Sequence, residues 1–206
     1  MGIFLGRRPT MGVGTRGGGG GGGLGFKLLI ALVVACFSLF TYFSNSQYNP
    51  ITGKKQHLDM SPRQEIALGL QSAPQMANKF EGLSDDNTAS EQVKSIGSEI
   101  VSKSTASKTP YQYDFHLLGD AKTINAFALP GGQIFVTEGL YRKLRTRGEV
   151  AGVLGHEIGH VAARHSAQHI AKQKLTQGLT GAAVIAAYDP DDPYNRGTAA
   201  MAALLI

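Results

Sequence analysis

The sequence predicts an α+β fold, mainly helical, with a small β-hairpin just before one decisive helix and a single apolar helix near the N-terminus. Three observations carry this. Leu24 to Phe43 is an apolar run of about twenty residues with one charge, Lys27. Between Tyr111 and Thr137, short runs of strand-forming residues flank the turn signal Pro130-Gly131-Gly132. Beyond that, Val150, Val153, Leu154, Ile158 and Val161 recur at helical spacing around His156-Glu157-Ile158-Gly159-His160.

Composition narrows the function classes. The chain has 206 residues, enough for one ordinary domain with extensions, and its 42% hydrophobic content is enough for a core. Cys36 is the single cysteine, which excludes an internal disulfide framework and a cysteine-based zinc cluster. The net charge of +5 is unevenly spread. Arg7, Arg8, Arg16 and Lys27 face no acid in the first 50 residues, whereas the remainder holds 16 bases and 15 acids. The main domain is therefore nearly neutral and lacks a nucleic-acid footprint, so no nucleic-acid partner is expected.

Residues 1–23 end in the unbroken run Gly17 to Gly23 and read as a disordered, basic, cytoplasmic tail, because polyglycine loses much backbone entropy on ordering and buries nothing. Residues 24–43 read as a transmembrane signal-anchor of about 20 residues. Lys27 can snorkel at one boundary, and Tyr42 and Phe43 fall where an aromatic belt would lie at the other. All four early positive charges precede the span, which places the expected protein in the cell (inner) membrane, single-pass, with its main domain facing the periplasm or exterior. Ser44-Asn45-Ser46 is a weak signal-peptidase site, and Val33-Val34-Ala35-Cys36 offers the alternative of a lipoprotein anchored at Cys36. Phe37-Ser38-Leu39-Phe40 continues the apolar run and favours the uncleaved span. Membrane lipid is then a partner through this anchor.

Residues 44–60 read as a polar linker, and 61–206 as the main domain. Ser61-Pro62 with Glu65 in the first turn starts a helix toward Phe80, with Pro74 as a possible break. Gly82 to Asn87 is a turn. Val93, Ile96, Ile100 and Val101 mark one face of a second helix. Tyr111, Tyr113, Phe115 and Leu117 share one parity of a strand, leaving His116 on the polar face. Asn125 to Pro130 and Gln133 to Thr137 form a hairpin, Glu138 to Arg145 a short helix, and the next helix runs to about Gln173 or Leu175. An apolar stretch (Gly181 to Ala187), an acidic loop (Asp189 to Pro193) and the start of a last helix (Thr198 to Ile206) complete the chain.

The chemistry sits in H-E-x-x-H. Residues four apart share a helix face, so His156 and His160 can aim two imidazole nitrogens at one Zn2+, one per chain. Glu157 can reach a metal-bound water and act as general base, the catalytic residue of the motif. Arg164, eight residues after His156, can orient a carboxylate or bind substrate, and a structural ion pair is its other reading. His165 and His169 repeat the four-residue spacing and could form a second metal pair, but without an acid behind the first they read as histidines on a solvated helix end.

Asn125-Ala-Phe-Ala-Leu-Pro-Gly-Gly-Gln-Ile-Phe-Val-Thr-Glu-Gly-Leu140, His156-Glu-Ile-Gly-His160 and Arg164-His165-Ser166 together resemble metallopeptidase family forty-eight, which includes the HtpX-like and BepA-like bacterial proteases and the CAAX prenyl proteases. The resemblance covers roughly Pro62 to Ile206. It implies a gluzincin-type zinc endopeptidase in which His156 and His160 bind zinc and Glu157 activates water. It also implies that the strand around Asn125, Ala126, Phe127 and Ala128 pairs with an extended polypeptide substrate by strand addition. Unfolded or misassembled proteins, as in envelope protein quality control, are the implied clients.

The family's third ligand is a Glu on a later helix, and no Glu follows Glu157 here. The expectation is that the sequence is C-terminally incomplete and that this ligand lies beyond Ile206, so that the native protein exceeds 21.8 kDa. Asp189, Asp191 or Asp192 as a substitute ligand is the alternative. The competing function is a non-catalytic, chaperone-like module that holds clients beside a vestigial or incomplete zinc site.

Overall fold

The computed structural model describes residues 21–188. The described residues are mostly helical, with two small sheets. Helix α1 (Gly21–Ser44) is long and apolar enough over Leu24–Ser44 to cross a membrane, with mean hydropathy 2.3 and 6% of that stretch buried. Three of the glycines assigned to the tail thus lie within α1.

The expected linker contains structure. Strands β1 (Ser46–Asn49) and β2 (Lys54–His57) form an antiparallel hairpin. Its polar residues escaped a hydrophobic-pattern reading because they bind helix ends rather than fill a core. Asn49 Nδ2 donates to the Ala162 carbonyl at 3.0 Å, and Gln56 Nε2 donates to the Ala163 carbonyl at 2.9 Å. These are carbonyls that a helix C-terminus leaves without an internal partner.

Helix α2 (Pro62–Lys79) begins with a capping box between Ser61 and Gln64 and passes through Pro74 without breaking. The carbonyl that Pro74 cannot serve belongs to Leu70, whose side chain is exposed, so water can take it. Helix α3 (Asn87–Ser102) buries Val93, Ile96 and Gly97. The ring of Phe115 lies directly on Gly97, leaving no room for a Cβ.

Strands β3 (Asp114–Leu118), β4 (Ala126–Ala128) and β5 (Gln133–Thr137) form a sheet in the order β3-β5-β4. The hairpin pairs β4 antiparallel to β5, and β3 lies parallel to β5 on its other side. Gly131 (φ 81°) and Gly132 (φ 114°) make the turn that joins them. One sheet face carries Phe115, Leu117, Ile134 and Val136 into the core against α3 and helix α5 (Arg147–Ala162). The other face is covered too. His116 stacks on Phe135 at 4.7 Å, Phe135 on Phe127 at 5.0 Å, and Phe127 meets Phe80 at 5.3 Å. His116 has the expected parity but is half-buried in this stack rather than solvated.

Helix α4 is a single turn, Glu138–Tyr141. The expected continuous helix from Val150 to Gln173 or Leu175 is two helices. Helix α5 stops at Ala162, Arg164 takes a left-handed conformation (φ 59°), and helix α6 runs from His165 to Ala187. The apolar stretch at 181–187 is the end of α6. Helix α6 lies antiparallel along α1: Ala171, Lys174 and Leu175 meet Phe37 to Tyr42, and Lys27 Nζ reaches the Tyr188 carbonyl at 3.4 Å. The acidic loop from Asp189 and the last expected helix lie outside the described residues.

Candidate active site

Helix α5 starts on a capping box. Thr146 accepts from the Glu149 N–H at 3.2 Å, and the Glu149 carboxylate accepts from the Thr146 N–H at 3.0 Å. Hydrogen bonds to the backbone N–H groups of Arg145 and Thr146 hold the Glu149 carboxyl below its ordinary value. The periodic apolar residues Val150, Leu154, Ile158 and Val161 are buried, so the face bearing His156 and His160 turns away from the core. His156 is exposed, and Glu157 and His160 are half-buried.

The Nε2 atoms of His156 and His160 stand 3.0 Å apart. Two imidazole nitrogens on one tetrahedral zinc, each at about 2.0–2.1 Å, stand about 3.3 Å apart. The pair therefore fits a shared metal with a few tenths of an ångström of opening. The Glu157 side chain makes no hydrogen bond or ion pair among the described residues. A catalytic zinc normally has three protein ligands and an open position. Among the described residues no group of three or more His, Cys, Asp or Glu is placed to hold a metal, and Asp189, Asp191 and Asp192 lie outside them.

His165 is the neighbour that the sequence reading missed. Its Nδ1 lies 2.8 Å from His160 Nδ1, on the ring edge opposite His156. On one continuous helix, a residue five positions after His160 would point well away from it. The left-handed turn at Arg164 swings it back, and no local pattern announces such a turn at an arginine. A metal-binding His160 Nε2 requires the proton on Nδ1, which then donates to His165. Burial, followed by the neighbouring His160, His169 and His156, lowers His165 below the ordinary imidazole value. The neutral ring is the form that can accept.

Arg164 lies elsewhere. Its guanidinium is nearly buried and forms an ion pair with Glu65 of α2, with Nε donating to Oε1 at 2.8 Å. It also donates to Gln47 Oε1 and to the Met60 carbonyl, each at 2.7 Å. Tyr111 donates to the other Glu65 oxygen at 3.1 Å. Burial raises the Glu65 carboxyl above its ordinary value, opposed by Arg164 and Tyr111. Burial and the adjacent Glu65 push the Tyr111 phenol up as well. Every donor of Arg164 that the structure pairs is turned inward, as in the ion-pair reading.

Asn125, Ala126, Phe127 and Ala128 lie at the sheet edge, where among the described residues β4 pairs only with β5, and α5 packs against this strand. The Asn125 carbonyl accepts from Thr137 N–H, and Leu129 N–H donates to the Gln133 carbonyl, so these residues turn their peptide groups toward β5. By strand alternation, the peptide groups of Ala126 and Ala128 face the open edge. The Phe127 side chain is used in the aromatic stack. What the edge offers is backbone.

The model of peptidase family M48 matches residues 87–205, more than half of the chain. The chain belongs to peptidase family M48. The match includes the hairpin, H-E-x-x-H and the turn at Arg164. Among individual proteins, the chain is 30% identical over 118 residues to the mitochondrial metalloendopeptidase OMA1 of Schizosaccharomyces pombe, covering 56% of this chain and 34% of that protein. It is 30% identical over 109 residues to the beta-barrel assembly-enhancing protease of Yersinia pestis, covering 53% and 22%. It is 28% identical over 136 residues to the protein of that name in Escherichia coli K12, covering 64% and 27%. The matched region thus spans between about a fifth and a third of these relatives' own length.

Proposed function

We propose that the chain carries the catalytic core of a membrane-anchored zinc metalloendopeptidase of the gluzincin kind, cleaving unfolded or misassembled proteins in envelope quality control. The observation that supports this best is the 3.0 Å approach of the two Nε2 atoms beside an uncommitted Glu157. Membership of M48, and relatives named as a metalloendopeptidase and as assembly-enhancing proteases, point the same way. Helix α1 is the anchor of this reading, in the cell membrane with the domain on the periplasmic or exterior side.

His156 and His160 would hold the zinc, which when bound polarises a carbonyl and acidifies a water. His165 holds His160 in the tautomer that presents Nε2. Glu157 takes the proton from the attacking water and delivers it to the leaving amine. Ala126 and Ala128 offer outward peptide groups to an extended client, which would add as a strand and be read mainly by its backbone. Arg164 acts in this reading by fixing the end of α5, not by touching substrate.

The test is cleavage of casein by the membrane-reconstituted chain with one equivalent of zinc. Activity that disappears with chelator and in Glu157→Gln, with zinc still bound, is the expected result. Undiminished cleavage by Glu157→Gln would remove the assigned base. The presence of only two of three expected ligands among the described residues favours a second reading, client binding without hydrolysis. Client capture that survives both chelator and Glu157→Gln, with no cleavage at any zinc level, would establish it instead.

A further inference from the structure

A cavity of about 340 Å³ lies where the end of α1, the end of β2 and the first turns of α6 meet. It is amphipathic along its length. Phe37 of α1 and Leu175 of α6 form apolar wall, and His57, Asp59 and Lys174 bring polar groups to it. His57 Nδ1 and Asp59 Oδ1 are buried and have no hydrogen-bond partner among the described residues. Such orphaned groups each cost about 1–3 kcal/mol unless something satisfies them. The other Asp59 oxygen is held by Lys174 Nζ.

The donor and acceptor inventory is selective. Ser38 spends its hydroxyl proton on the Val34 carbonyl at 2.8 Å, and Thr41 spends its own on Phe37 at 2.7 Å. Their oxygens can still accept. With Asp59 Oδ1, the cavity therefore presents acceptors that suit an N–H-rich cation. Lys174, more than half exposed, supplies a positive charge for an anion beside it. His57, which also lines the cavity, is held by stacking on Tyr42 at 4.8 Å. A primary ammonium next to a phosphate, on an apolar tail, complements all of these features. A quaternary ammonium has no N–H to give and does not.

We propose that this cavity binds the headgroup of an aminophospholipid, the ammonium on Asp59, Ser38 and Thr41 and the phosphate beside Lys174 and His57. The proposal rests on the reading of α1 as a membrane span, which sets the cavity at the level of lipid headgroups. It assigns a lipid contact apart from H-E-x-x-H, so Glu157→Gln leaves it intact.

The test is native mass spectrometry of the full chain released from mixed vesicles of equal phosphatidylethanolamine and phosphatidylcholine. Retention of phosphatidylethanolamine about tenfold over phosphatidylcholine is expected, falling about tenfold in Asp59→Asn, as for loss of one charged hydrogen bond. Lys174→Gln, at a half-exposed position, gives a second variant should Asp59→Asn not fold, and it too should lose retention. Equal retention of the two lipids by the unaltered chain would overturn the proposal. Displacement of the lipid by glycerophosphoethanolamine at the same concentration would assign the site to a soluble headgroup and overturn the lipid source. A chain that fails to associate with any vesicle would refute the anchor, a separate outcome from association without lipid preference.

Discussion

His160 and Arg164 are four residues apart and are built in opposite ways. Among the described residues, the imidazoles of His156 and His160 are bonded only to one another and to His165, at or near the surface. Arg164 is nearly buried and is held by Glu65, Gln47 and Met60, residues about a hundred positions away in the chain. The proposed chemistry is thus assembled locally, on two turns of helix, and its mounting is assembled from afar. A reactive group must remain free to bind and exchange protons, whereas the element that carries it must not move.

Mutations should separate the two. The largest effect is expected at the free end. Glu157→Gln should lower the cleavage rate by about 10²–10⁴-fold with the unfolding midpoint unchanged, since it removes a general base and no packing. A parallel loss of stability would mean that Glu157 belongs to the mounting. Next is Glu65→Ala, which strands the Arg164 guanidinium in a buried site and should cost about 3–5 kcal/mol in denaturant unfolding. A change below 1 kcal/mol would show that water already reaches the pair. Gly69→Ala comes third. Its Cβ would strike the Pro130 carbonyl, pushing α2 off the turn that sets β4 and β5. About 1–3 kcal/mol, read as a lower thermal midpoint, is expected for such overpacking. The smallest is His165→Ala, where zinc affinity by competition titration should fall about tenfold, as for loss of a partner behind a metal-binding histidine. No change in affinity would place His165 outside the site.

The same contrast explains what the sequence reveals. H-E-x-x-H, the apolar face of α5 and the Pro-Gly-Gly turn are written in consecutive residues, and each is legible by spacing alone. The mostly helical architecture, the β4–β5 hairpin and membership of M48 follow from them. The mounting is not legible, because its partners are polar and distant. Asn49 and Gln56 look like linker residues until Ala162 and Ala163 need caps. Arg164 gives no sign that it turns left-handed, a conformation that costs an ordinary residue about 1–2 kcal/mol. With that turn unseen, α5 and α6 merge into one helix, and the contact of His165 with His160 is not foreseen.

The antiparallel run of α6 along α1 sets a working height. Helix α6 has 23 residues and α1 has 24, each about 35 Å long. They stand side by side like a doubled mast, with the Arg164 turn at its head. His160 is four residues from that turn, about 6 Å along the helix axis. On the proposed anchoring, the cutting edge is bolted near the bilayer surface instead of hanging from a tether. If the proposed protease reading holds, its reach is a matter of altitude: a client bond would be cut according to how far it stands from the membrane as much as by which residues flank it.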